Sequence, residues 1–75
     1  MKVEVIKGII NSNTFVASEG GSVLIIESGA EVDKVLKALD GRKPNAILLT
    51  HEHYDHIFHI SDYIKEFNCP IYCIV

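Results

Sequence analysis

The stretch Ala46-Ile47-Leu48-Leu49-Thr50-His51-Glu52-His53-Tyr54-Asp55-His56-Ile57-Phe58-His59 decides how this chain is read. It begins as a short apolar run suited to a buried β-strand and passes directly into the pattern His-x-His-x-Asp-His. All four histidines of the 75 residues fall within it. Neutral imidazole offers a nitrogen lone pair near pH 7, which makes histidine the commonest metal ligand. Packing alone does not explain so tight a cluster with an aspartate inside it. If extended geometry persists through His51 and His53, both rings point to one side and can share an ion. Asp55 and His56 follow where the chain turns towards a helix, and can face the same cavity from another direction. Two ions about 3.5 to 4 Å apart can share a hydroxide that attacks near neutral pH. Zinc, iron and manganese all suit these donors.

Working outward, Val3-Glu4-Val5-Ile6 reads as a first strand ending at Gly8, and Asn11-Ser12-Asn13 as a turn. Thr14-Phe15-Val16-Ala17 reads as a second strand. Glu19-Gly20-Gly21-Ser22 is a hairpin turn, with glycines where positive φ is required. Ser22 to Glu27 is a third strand whose nearly continuous apolar centre predicts burial on both faces. Ser28-Gly29-Ala30-Glu31 has the form of a capping box. Val32, Val35, Leu36 and Leu39 then make one helical stripe that Gly41 ends. Beyond the histidine run, Ile57, Ile60, Ile64 and Phe67 suit a second helical face, with Lys65 and Glu66 outward. Asn68 and Pro70 close that helix, and Ile71 to Val75 is a last strand. The predicted order is β-β-β-α-β-α-β, an α/β (α+β) fold with helical crossovers between parallel strands in its second half. In such sheets chemistry gathers where strands end and helices begin, and the histidine run lies at such a junction.

Composition narrows the function classes. The apolar content is 48% and the net charge is −3, without a basic cluster, so no nucleic-acid partner is expected. No apolar run is long enough for a bilayer, and Glu4 stands where the apolar core of a signal peptide would begin, so no membrane is expected and the expected compartment is the cytoplasm. Cys69 and Cys73 read as buried residues of the last strand; four positions along a strand span roughly 13 Å, too far for a disulfide. A redox pair or soft metal ligands is the functional alternative for them. Neither a phosphate-binding glycine loop nor a nucleophile elbow is present.

Thr50-His51-Glu52-His53-Tyr54-Asp55-His56 resembles the Thr-His-x-His-x-Asp-His signature of the metallo-β-lactamase superfamily. Asn13-Thr14-Phe15-Val16 resembles the Asn-x-Tyr-x-Val strand near the start of such proteins, and Val23 to Ala30 the apolar strand that ends in Asp-Pro-Gly. Here Glu27-Ser28-Gly29 replaces Asp-Pro-Gly, and Ile57-Phe58-His59 stands where many members have Ile-Gly-Gly. The resemblance implies the N-terminal half of an αββα sandwich and hydrolysis of an ester, thioester, amide or phosphodiester bond in a small-molecule substrate. By the same resemblance His51 and His53 bind a first metal; zinc is the expected ion, with iron or manganese as alternatives. Asp55 and His56 bind a second, and Asp55 also holds or deprotonates the attacking water. His59 is either an ordinary helix residue or a group that reaches the cleft.

The family needs over twice this length, and its remaining ligands normally come later. Residues 1–75 are therefore expected to form a single partial domain with half a site, inactive or weakly active in isolation. Its exposed apolar sheet face predicts a homo-oligomer. The alternative function is a non-catalytic metal-binding or self-assembling module.

Overall fold

In the computed structural model, residues 1–8, 13–50 and 60–73 are described. The β-branched segments pair into one five-stranded sheet: β1 (Lys2–Ile6), β2 (Thr14–Glu19), β3 (Ser22–Ile26), β4 (Ala46–Leu49) and β5 (Ile71–Cys73), in spatial order β1-β2-β3-β4-β5. The pairs β1–β2 and β2–β3 are antiparallel, while β3–β4 and β4–β5 are parallel. Gly20 and Gly21 connect β2 to β3 with φ of 56° and 90°, the two positive values that a tight two-residue hairpin needs. The crossovers carry helices α1 (Val32–Leu39) and α2 (Ile60–Phe67). The order β-β-β-α-β-α-β matches the reading of the sequence. Among the described residues no helix is long and apolar enough to cross a membrane.

Strand alternation sends Val16, Val23, Ile25, Ile47 and Leu49 to one face, where they are buried with Ala30, Val35, Leu39 and Tyr63. Ile6, Val32, Ile60, Phe67 and Cys69 pack at the margin of this core. Each large buried aliphatic contributes roughly 2 kcal/mol before conformational entropy is set against it. The opposite face aligns Val3, Ala17, Leu24 and Ala46 in one row across the strands, and Val5, Phe15, Ile26, Leu48 and Tyr72 in the next. None of these nine carries a charge, and Val3, Val5 and Tyr72 are more than half exposed.

Several local expectations change. Strand β3 is fully buried on one face only, since Leu24 and Ile26 lie on the open side and are half-buried. The capping box does not form: Glu31 is the N-cap of α1 and makes no side-chain cap bond. The predicted cap, Ser28, lies three residues earlier in a buried segment. Helix α1 ends at Asp40 rather than Gly41, with Asp40 left-handed at φ 50° and its N–H on the Leu36 carbonyl. In α2 the buried residue is Tyr63, whereas Ile64 is 53% exposed, because the helix turns its 60/63/67 stripe to the sheet. Strand β5 is a short exposed edge, so Cys73 is exposed and Cys69 half-buried, both as free thiols. The turn residues 11–12, the start of the second predicted helix at Ile57, and residues 74–75 lie outside the described residues.

Two side chains fix the crossover between β3 and β4. Asn45 accepts the Val23 N–H through Oδ1 at 2.7 Å and donates its own N–H to the Val23 carbonyl at 2.7 Å, which aligns the start of β4 with β3. Arg42 donates to the Leu39 and Ala38 carbonyls at 2.8 and 2.9 Å and to Glu4 Oε1 at 3.0 Å, tying the end of α1 to β1. Asp40 places a negative charge at the negative end of the helix dipole in a backbone conformation that asparagine tolerates better. Asp40→Asn is therefore expected to raise stability by about 0.5 kcal/mol, read as a higher urea midpoint at unchanged slope.

Candidate metal centre

Parallel pairing brings the ends of β3, β4 and β5 to one edge of the sheet. The residues leaving β3 and β4 there are Glu27 and Thr50. Glu27 is buried and has φ 70°, a left-handed backbone that costs a non-glycine residue about 1 kcal/mol or more. Its N–H donates to the Leu48 carbonyl at 2.8 Å, extending the β3–β4 ladder by one step. Its carboxylate Oε1 accepts both the Thr50 N–H at 2.6 Å and the Thr50 hydroxyl at 2.7 Å. Charge-assisted bonds of this length are roughly twice as strong as neutral ones. The residue immediately before His51 is thus anchored by its backbone and by its side chain.

The segment 27–30 is buried throughout. At its far end the Ala30 N–H donates to Thr14 Oγ1 at 3.0 Å, and the Tyr63 hydroxyl donates to the Ala30 carbonyl at 2.6 Å. Thr14 Oγ1 and the Tyr63 hydroxyl lie 2.9 Å apart. Because the Tyr63 proton goes to Ala30, the Thr14 hydroxyl donates in that third bond, and each hydroxyl both gives and accepts. Tyr63 and Thr14 are fully buried, and Tyr63 also meets Phe67 edge-on at 5.7 Å between ring centroids. The ring joins β2, the segment before α1, and α2.

Burial, only partly offset by the Thr14 bond, pushes the Tyr63 hydroxyl up from 10.0 to about 12. Burial also raises the Cys69 thiol. A phenol that keeps its proton longer in the folded state contributes stability that is intact below pH 10. That contribution falls as pH rises towards 12, because the unfolded chain releases the proton first.

Every predicted ligand (His51, His53, Asp55 and His56) lies outside the described residues, as do His59 and Tyr54. Both flanks are described: Thr50 precedes the run and Ile60 opens α2 after it. Among the described residues no group of three or more His, Cys, Asp or Glu could hold a metal ion. Cys73 ends β5 beside Leu49 in register, on an exposed edge. Sequence reasoning passed over Glu27, Thr14 and Tyr63. Glu27 stood out only as a departure from Asp-Pro-Gly, and its role rests on Thr50, 23 residues away. Alkaline unfolding is expected to steepen between pH 10 and 12 in the wild type and to flatten in Tyr63→Phe, measured by urea midpoints across that range.

Comparison with known proteins places this geometry. The profile of the metallo-beta-lactamase superfamily matches residues 8–75. The probable metallo-hydrolase YqgX of Bacillus subtilis is 33% identical over 67 residues, covering 87% of this chain and 32% of that protein. The probable metallo-hydrolase YybB of the same organism is 38% identical over 63 residues, covering 80% of this chain and 29% of its own. The crystal structure of the BLEG-1 B3 metallo-beta-lactamase superposes with a TM-score of 0.82 at 29% identity, over 95% of this chain and 36% of the lactamase. The chain thus spans roughly a third of the length of these proteins. A mixed sheet helix-covered on one face, the match over residues 8–75 and these relatives agree, and the chain belongs to the metallo-beta-lactamase superfamily.

Proposed function

We propose that this chain carries the first half of the metal site of a hydrolase that cleaves an ester, thioester, amide or phosphodiester bond in a small molecule. The observation that carries the reading is His-x-His-x-Asp-His entering straight after β4, at the edge where β3 and β4 end. Three imidazoles and a carboxylate are a donor set that zinc accepts readily, and iron or manganese also fit. His51 and His53 would hold one ion, and Asp55 and His56 a second. When bound, the ions supply acidification of water and polarisation of the bond to be broken. Asp55 would contribute the carboxylate that holds the attacking water or takes up its proton. Tyr54, on a segment between strand end and helix, would be available to line the substrate entrance.

Uptake of zinc tests this directly. The wild-type chain is expected to retain zinc through gel filtration, and His51→Ala/His53→Ala to lose it, by elemental analysis of the eluted protein. Equal uptake by both would overturn the assignment.

A second reading has its own support. The open sheet face presents two uncharged rows, in which Val3, Val5 and Tyr72 are more than half exposed. A second copy, meeting the first through this face in a symmetric dimer, would cover the apolar rows. The complex would then be a metal-binding assembly without turnover. Light scattering should give twice the chain mass for wild type and a monomer for Leu24→Glu, placed in the middle of the face. A monomeric wild type at tens of micromolar would sink this reading.

A further inference from the structure

We infer that the buried segment 27–30 is a two-point clamp that presets the geometry of the histidine run, gripping its entrance through Glu27 and its exit through Ala30 and Tyr63. The inference rests on the metal-binding reading above and adds to it a set of positioning residues. Its physical basis is that both flanks of residues 51–59 are attached to the same four-residue segment. At the entrance, Glu27 Oε1 takes both donors of Thr50, at 2.6 and 2.7 Å. At the exit, the Tyr63 hydroxyl, on the first turn of α2, reaches the Ala30 carbonyl at 2.6 Å, and Thr14 closes the ring. The two grips lie three residues apart on one buried stretch.

Three further observations support the clamp. Glu27 keeps a left-handed backbone that a glycine would adopt without strain; what glycine lacks is the carboxylate that holds Thr50. A strained residue persists only where its surroundings over-determine it, and here the Leu48 carbonyl and Thr50 do so. Tyr63 offers the only hydroxyl of α2's buried stripe, since Ile60 and Phe67 beside it are apolar. Its 2.6 Å bond runs to the backbone of the segment that begins with Glu27. A stretch of chain whose ends are already fixed has less conformational freedom to lose when its donors close on an ion, so the clamp should appear as metal affinity. Outer partners that orient metal ligands typically contribute 10- to 100-fold in affinity.

The experiment compares zinc affinity, by competition with a chromophoric chelator, in wild type, Glu27→Gln, Tyr63→Phe and the double variant. The cobalt(II) absorption spectrum of each serves as a signature of ligand geometry. Val35→Ala, in the core on α1, is the control for lost stability alone. Circular dichroism of the metal-free proteins identifies the folded variants, and Tyr63→Phe, which removes one oxygen, carries the test if Glu27→Gln does not fold. The clamp predicts an affinity loss of about 10-fold or more for each folded clamp variant, with shifted cobalt bands. Val35→Ala should melt earlier while keeping wild-type affinity and spectrum. Wild-type affinity and bands in both clamp variants would overturn the inference and leave the metal site standing. A wild type that takes up neither zinc nor cobalt would instead overturn the metal reading, and the clamp with it.

Discussion

Residues 27–30 form an irregular segment that is buried from end to end, and backbone polar groups removed from water must each find a partner. Most connecting segments avoid that demand by running over the surface. This one meets it by recruiting from every direction: the Leu48 carbonyl from β4, the Thr14 hydroxyl from β2 and the Tyr63 hydroxyl from α2. Satisfying the segment therefore fixes how three other elements approach one another. The same demand accounts for the fully buried hydroxyl at Thr14, two residues before the apolar Val16 on the same face. It also explains why a tyrosine occupies the centre of the buried stripe of α2.

The sheet has two very different faces. On the helix side, the core residues of three strands meet α1 and α2, and the buried hydroxyls of Thr14 and Tyr63 are drawn into the ring at Ala30. On the other side, the two rows from Val3 to Ala46 and from Val5 to Tyr72 hold apolar side chains, and among the described residues no helix lies over them. Parallel pairing of β3, β4 and β5 adds a second asymmetry by gathering strand ends at one edge, the usual place for chemistry in such sheets. In the chain, Thr50 at that edge is followed directly by His51-Glu52-His53-Tyr54-Asp55-His56.

Most of the element order was readable from local signals. Gly20-Gly21 required a tight hairpin, Pro70 forbade continuation of α2, and alternation or 3.6-residue spacing marked strands and helices at nearly their observed bounds. The candidate ligands were legible for a different reason, since four histidines and an aspartate in one short run carry their chemistry in residue type and spacing alone. Local signals failed where two elements compete for one residue. Ser28 carried the pattern of a helix cap, yet the buried segment holds it away from the helix start, and Glu31 became the N-cap. Ile64 fitted the apolar period of α2 as well as Tyr63, and the difference lay in a hydroxyl partner that periodicity does not see.

Sequence alone thus determined the β-β-β-α-β-α-β order and the Gly20-Gly21 hairpin, and it singled out the candidate metal donors, because propensity, periodicity and ligand chemistry act over a few neighbouring residues. Tertiary structure decided which face of the sheet the helices cover, which residue of α2 is buried, and how the flanks of the histidine run are held. Those depend on hydrogen bonds between residues far apart in the chain: 23 positions from Glu27 to Thr50, 33 from Ala30 to Tyr63 and 49 from Thr14 to Tyr63. Such bonds form only after the sheet has brought their partners together, and burial then makes them obligatory.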